Sequence, residues 1–288
     1  MKNLAFFITD LHGSISRYEK LFHLIEKENP SVVFLGGDLL PSGLYTYTSE
    51  YQHLPDFFEH FLKKNFYALK RRLGKNYPKI FLILGNDDGK SLEDNFLESE
   101  QSGLWKYVHG RKTYFNDFSI YGYSYVPPTP FMLKDWENYD VSRYIDPGCL
   151  ALEDGTFTFD VDRKKLQFMT IQKDLEKLVQ NDDMDKAIFL FHSPPYETNL
   201  DRAALDNKTT DHVPLDVHIG SIAIKRFLEE RQPLLSLHGH VHESTLITGH
   251  WQQKIGKTYA MNAAHHGPEL AIIRFYLDNP DNASRELI

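Results

Sequence analysis

Five short apolar runs constrain this chain more than any other feature. They are NLAFFITDLH (residues 3–12), SVVFLGGD (31–38), KIFLILGND (79–87), KAIFLFHSP (186–194) and PLLSLHGHVH (233–242). Each is rich in branched or aromatic residues and too short for an ordinary helix. Apolarity that continues without alternation marks a strand covered on both faces. Helical periods lie between them. Residues 16–29 place Tyr18, Leu21, Phe22 and Ile25 on one face. Residues 56–74 repeat that pattern and end on Gly74, a natural C-terminal cap. Residues 163–180 and 220–232 predict two more helices. Alternating strand and helix implies a largely parallel α/β sheet with crossovers.

Two stretches interrupt the alternation. Residues 111–162 hold two strand-like runs around the Asn116–Asp117 turn and then the loop VPPTPF. Residues 244–277 read as antiparallel strands. Both are expected in a second sheet packed on the first. The chain reads as a single domain over 1–288, with inserted loops at about 41–55 and 111–162.

The apolar runs also end alike. The first delivers Asp10 and His12, the second Asp38, and the third Asn86, Asp87 and Asp88. The fourth delivers His192, and the fifth His240 and His242. Ligands of open α/β sheets bind outside the carboxyl ends of the strands, so the five endings are expected on one rim. Asp10 and His12, spaced i and i+2, point the same way if the backbone there is extended, as do His240 and His242. Gly36, Gly37, Gly85 and Gly239 precede these positions, where a tight turn or close backbone approach is needed.

The ordered set DLH, GGD, GND, FHSPP and GHVH resembles the calcineurin-like metallophosphoesterases, from Asp10 to about Asn262. The resemblance implies a four-layer α/β/β/α sandwich with two mixed β-sheets. It also implies two metal ions. One would be held by Asp10, His12, Asp38 and His242, the other by Asp38, Asn86, His192 and His240, with Asp38 bridging. Such a pair, ~3.5–4 Å apart, clamps both oxygens of an in-line displacement and ionises a bridging water. Carboxylate, amide and imidazole ligands without thiolate suit Mn, Fe or Zn. His238 matches no ligand position and reads as structural.

The third motif departs from the family pattern: Asp87 stands where a histidine is usual. An unperturbed aspartate, with a pKa of ~3.9, is a poor proton donor at neutral pH. The resulting expectation is a metal-dependent phosphoric ester hydrolase, with Asp38 and Asp87 at the chemistry and phosphodiesters preferred to monoesters. The rival reading is an interaction module that keeps the fold without turnover. The complete ligand set favours the enzyme.

Tyr196, His218 and His265 are candidates for the substrate side. Tyr45, Tyr47, Tyr123 and Tyr125 are candidates for an aromatic wall. Gly220 and Ser221 read as a helix cap. The formal charge of −8 argues against a duplex nucleic-acid partner but not against a small phosphorylated substrate whose charge a metal can answer. Cys149 is the only cysteine, which rules out an intrachain disulfide and fits a reducing compartment. No run approaches the ~20 apolar residues of a membrane span, and the first run is too short for a signal-peptide core. A cytoplasmic location without membrane contact is therefore expected.

Overall fold

A computed structural model describes residues 3–42 and 57–288. In chain order the strands are β1 (Leu4–Ile8), β2 (Val32–Gly36), β3 (Lys79–Ile83), β4 (Lys106–Tyr107), β5 (Lys112–Phe115), β6 (Phe118–Tyr123) and β7 (Ala187–Phe191). There follow the short ribbon β8 (Thr209–Thr210) and β9 (Val213–Pro214), then β10 (Leu235–His238), β11 (Gln252–Ile255), β12 (Thr258–Asn262), β13 (Ala271–Tyr276) and β14 (Asn279–Leu287). One six-stranded sheet has the order β14-β13-β1-β2-β3-β4, and the other β11-β12-β10-β7-β6-β5. The centre of each is parallel; antiparallel strands close both edges of the second sheet and the β13–β14 edge of the first, whose other edge strand, β4, runs parallel to β3.

The helices are α1 (Ile15–Glu28), α2 (Lys64–Leu73), α3 (Glu93–Gln101), α4 (Arg163–Leu166), α5 (Ile171–Val179), α6 (Ile222–Arg231) and α7 (Ser244–Thr248). Strand alternation sorts the layers, because successive side chains leave opposite faces. Phe7, Phe34 and Phe81 point between the sheets and meet Ile188, Leu190 and Leu237. Their neighbours Phe6, Val33 and Ile80 point outward and pack with Leu21, Phe66 and Phe96 of α1, α2 and α3. Tyr121 and Phe189 point out of the second sheet against Leu175 of α5 and Phe227 of α6. The result is the four-layer α/β/β/α sandwich.

The five apolar runs are divided between the two sheets. Three become β1, β2 and β3, and two become β7 and β10. The single row of strands read from the sequence is thereby corrected. Each sheet lies between helices and the other sheet, so strands of both carry the same continuous apolar signature. The carboxyl ends still converge, because the parallel strands of both sheets end at a common rim.

Thr170 breaks the helix expected over 163–180. Its extended backbone (φ −141°) and side-chain cap on Lys173 N start α5 afresh. Ser244–Thr248 is a helical turn rather than a strand, β13 joins the first sheet beside β1 rather than the second as expected, and α3 and β14 have no counterpart in the sequence reading. Gly74 (φ 53°) ends α2 as expected, and Ser221 caps α6 by accepting from Ile224 N. The hairpin of β5 and β6 belongs to the second sheet, and irregular chain follows it. Within that irregular chain, Lys134 and Glu137 form a fully buried ion pair at 2.6 Å. Lys134 Nζ also donates to Thr129 O (2.7 Å), and Thr129 donates through its N–H (2.8 Å) and hydroxyl (2.5 Å) to Glu137. This network pins the proline-rich loop. Among the described residues no helix is long and apolar enough to cross a membrane.

Candidate metal centre

The strands stop before the candidate ligands begin. β1 ends at Ile8, β2 at Gly36 and β10 at His238. Beyond them Asp10 (φ 54°), His12 (φ 44°), Asp38 (φ 51°) and His240 (φ 69°) adopt left-handed backbone. The extended i, i+2 geometry read from the sequence is therefore corrected at both motifs. Each such residue costs of order 1–3 kcal/mol and persists only where its surroundings fix it. Here they do: Asp10 N donates to Gly37 O (3.0 Å), His12 N to Asp38 O (2.8 Å), and Arg17 to Asp10 O (2.7 Å). Glycine is required where the loops touch. A Cβ on Gly239 would lie 2.6 Å from Asp10 Oδ2, and one on Gly85 would lie 2.3 Å from Asp38 Oδ1.

Two groups of donor atoms result. Asp10, His12 and His242 form one, and Asp10, Asp38 and His192 the other, with the atoms of each group within 4.8 Å of one another. His242 Nε2 lies 3.1 Å from Asp10 Oδ1 and 3.2 Å from His12 Nε2. Asp38 Oδ2 stands between His192 Nε2 (3.3 Å) and His12 Nε2 (3.7 Å). Asn86 Oδ1 is 3.0 Å from His192 Nε2, whose other nitrogen bonds Gly36 O at 2.8 Å. His240 stands beside these groups. Its N–H donates to Asp10 (3.2 Å), while its ring sits 5.4 Å from that of His192 and belongs to neither group.

Burial opposes charge on Asp10 and Asp38, but the neighbouring imidazoles outweigh it and hold both carboxyls below the ordinary range. Burial likewise pushes His12 and His192 down. The Asp87 hydrogen bond with the Asp38 and Asp10 charges for His12, and Asp38 and Asp10 for His192, reverse this and raise both to about 9. Burial dominates at His240, which falls to about 3. Two buried carboxylates beside imidazoles form an oxygen- and nitrogen-rich donor set that fits a divalent cation. Cation binding must displace protons from the imidazoles it engages.

Asp88 supports this centre without joining it. It is fully buried and accepts from Leu39 N (3.1 Å), Leu40 N (2.7 Å) and Gly85 N (2.9 Å), which ties the Asp38 loop to the Gly85 turn. Burial and the Asp38 charge raise its pKa to about 7 against those N–H donors. Asp88 stands at a strand end with no local sign of this role in the sequence. Asp87 is anchored too: its N–H donates to Asp38 Oδ1 (2.8 Å) and its carboxylate lies 3.3 Å from His12 Nδ1.

A cavity of about 580 Å³ opens over the centre, bordered by His12, Asp38, Asn86, Asp87, His240 and His242. His218 also lines it, with Nδ1 held at 2.8 Å by the fully buried Asp201. The sequence offered no local sign of that partnership. Tyr196 does not line the cavity; its hydroxyl donates to Asp216 (2.7 Å), which does. His265 pairs with Glu269 (2.9 Å) outside the lining. Tyr123 and Tyr125 form no wall. Strand alternation turns Tyr123 toward α5, where it donates to Asp174, and Tyr125 takes a hydrogen bond from Lys90. Tyr45 and Tyr47 lie outside the described residues. The N-terminus of α6 is already filled by Asp140, which accepts from Ser221, Ile222 and Ala223. His238 is buried, with Nδ1 donating to Ser193 O (2.9 Å) and Nε2 2.6 Å from Ser236 Oγ, a structural histidine as expected.

The family model for calcineurin-like phosphoesterases matches residues 5–244. One similar crystal structure shares 15% identity at a TM-score of 0.59, with 100% of this chain and 99% of that chain covered. The crystal structure of TT1561 of Thermus thermophilus shares 13% identity at a TM-score of 0.56, with the same coverage. These likenesses are likenesses of fold. No curated protein matches the chain.

Proposed function

This chain belongs to the calcineurin-like phosphoesterase family, and from that premise we propose that it hydrolyses a phosphodiester with the help of two divalent metal ions. One observation carries the reading. Asp10, His12, Asp38, His192 and His242, drawn from both sheets, bring their donor atoms together beneath a cavity. Asp10, His12, Asp38 and His242 would hold one ion, and Asp38, Asn86, His192 and His240 the other. The position of Asp38 Oδ2 between His192 and His12 supports its bridging role. The donor set suits Mn, Fe or Zn.

Bound there, the ions supply the positive charge that a phosphoester and its attacking water need at neutral pH. The chain's own residues supply position. Asp88 fixes the Asp38 loop, and Asp87 fixes the ring of His12. His218, oriented by Asp201, is the candidate to pass a proton to the leaving oxygen. Asp87 replaces a histidine with a negative charge, which repels a monoester dianion more than a diester monoanion.

The test is metal analysis of the purified protein with kcat/KM for bis(4-nitrophenyl) phosphate and 4-nitrophenyl phosphate in added Mn²⁺. Metal uptake and a higher value for the diester are expected. The absence of both metal uptake and turnover would overturn the proposal, and a preference for the monoester would overturn its diester part.

A further inference from the structure

The cavity over the metal centre has a composition that restricts what can enter. Pro127, Pro128, Pro130 and Leu133 line it from the pinned loop, and Leu205 and Leu215 from the segment that carries His218. These walls offer methylene groups, and their prolines have no N–H to read a base or a sugar. Among the described residues no Lys or Arg lines the cavity. Residues 43–56, which follow the lining residue Ser42, contain neither in their sequence. The charged side chains beyond the metal centre are instead Asp146, Asp216 and Glu243. Two of them are fixed in place. Asp216 accepts from Tyr196 Oη (2.7 Å) and His218 N (2.8 Å), and Glu243 accepts from Ala204 N (3.1 Å). Any second anionic group on a substrate meets like charge with no ammonium or guanidinium to answer it.

The apolar surface also continues outward. Phe131 lines the cavity yet is 56% exposed, and its neighbour Met132 is 48% exposed. An exposed aromatic beside an apolar cavity extends the contact available to a long substituent. The Lys134–Glu137–Thr129 network holds the loop that bears these residues, so the wall is preformed.

We propose that the phosphodiester taken by this site carries a single negative charge and an apolar, alkyl-bearing alcohol that lies along the proline and leucine wall. The inference rests on the phosphoesterase reading above and names the substrate class for that same site. Nucleotides are disfavoured for two reasons: their polar bases and sugars find few partners on the wall, and their further phosphates meet carboxylates with no Lys or Arg among the described lining residues.

The experiment is calorimetric titration of the Mn²⁺-loaded full chain with dimethyl, diethyl and dibutyl phosphate. Thymidylyl-thymidine and its 5′-phosphorylated form are titrated for comparison. Each fully buried methylene is worth up to about four-fold in affinity, so Kd should fall roughly ten-fold or more from dimethyl to dibutyl phosphate. The heat-capacity change should become more negative along the series. Leu215→Asp should flatten the series in protein whose circular dichroism is unchanged, and Leu205→Ser serves if Leu215→Asp fails to fold. Equal affinities across the dialkyl series, or tighter binding of either dinucleotide than of dibutyl phosphate, would overturn the proposal. Binding is read apart from turnover. A rising series in a protein that hydrolyses no diester overturns the phosphoesterase reading and supports this one. Turnover with a flat series does the reverse.

Discussion

The carboxylate of Asp87 lies 3.3 Å from Nδ1 of His12. The residue that departs from the family pattern is thus coupled to a candidate metal ligand. Its other oxygen accepts from Ser42 Oγ at 2.5 Å, and its N–H donates to Asp38 Oδ1 at 2.8 Å. With Nδ1 held in this way, Nε2 of His12 faces Asp38 (3.7 Å), Asp10 (3.9 Å) and His242 (3.2 Å). A carboxylate behind an imidazole ligand fixes its tautomer and raises its basicity.

Asp87→Asn should therefore weaken metal binding. Loss of an outer partner of this kind typically costs about 10–100-fold in affinity or activity. Calorimetric titration with Mn²⁺ measures it, and an unchanged affinity would assign Asp87 to the cavity alone. Asp87→His tests the proton-donor argument at the same position. Its monoester-to-diester ratio should rise by about ten-fold if a donor is restored. The ratio must be read at saturating metal, because this change also removes the partner of His12.

Gly85→Ala should damage the centre from beneath. The new Cβ would sit 2.3 Å from Asp38 Oδ1, 2.5 Å from Asp38 N and 2.6 Å from a carbon of the His192 ring. Overpacking of this kind costs about 1–3 kcal/mol. Chemical denaturation should show that loss together with reduced metal content. Gly89→Ala is the control, since its nearest neighbour would be 3.6 Å away and its φ is −69°. A Gly85→Ala protein as stable and metal-rich as the control would refute the close approach.

The apolar runs and their polar endings were legible because continuous apolarity and strand-end carboxylates are local signals. α1 was legible for the same reason, with Tyr18, Leu21, Phe22 and Ile25 all buried. The division of the runs between two sheets was not legible. A strand sandwiched by helices and another sheet looks the same in either sheet. The left-handed turns at Asp10, His12, Asp38 and His240 were hidden because L residues adopt them only under tertiary constraint. The tyrosine wall failed at Tyr123 because alternation in β6 sends it to the helical face. Prolines of the same loop line the cavity instead, held by an ion pair that no local pattern announces.

His218→Gln should reveal proton transfer by its dependence on the leaving group. Asp201 accepts from His218 Nδ1 (2.8 Å) while Thr198 N (2.8 Å) and Gly220 N (3.1 Å) hold it still. Nε2 is the nitrogen left for the cavity. A general acid typically contributes about 10²–10⁴-fold, and most where the leaving oxygen is basic. The loss should therefore be large for alkyl leaving groups and small for nitrophenolate, with metal content unchanged. A uniform loss across the series would mean that His218 packs the wall and passes no proton.

His238 offers a test of the fold by pH. It is wholly buried, stacks on Phe191 at 5.7 Å, and satisfies both ring nitrogens through Ser193 O and Ser236 Oγ. Burial lowers its pKa from 6.5 to about 3, against the Ser193 hydrogen bond. The folded pKa lies below the unfolded one, so the neutral ring's contribution is complete above pH 6.5 and is lost as the pH falls from 6.5 toward 3. The slope of that loss is about 1.4 kcal/mol per pH unit. His238→Gln removes the titrating group, so its stability should fall less steeply than wild type over that window. At pH 8 the variant should be weaker by about 1–3 kcal/mol, because the Ser193 carbonyl or the Ser236 hydroxyl loses a partner. Denaturation with chelator present, from pH 4 to 8, measures both effects free of metal release. Parallel stability curves for the two proteins would show that His238 carries a proton inside the fold.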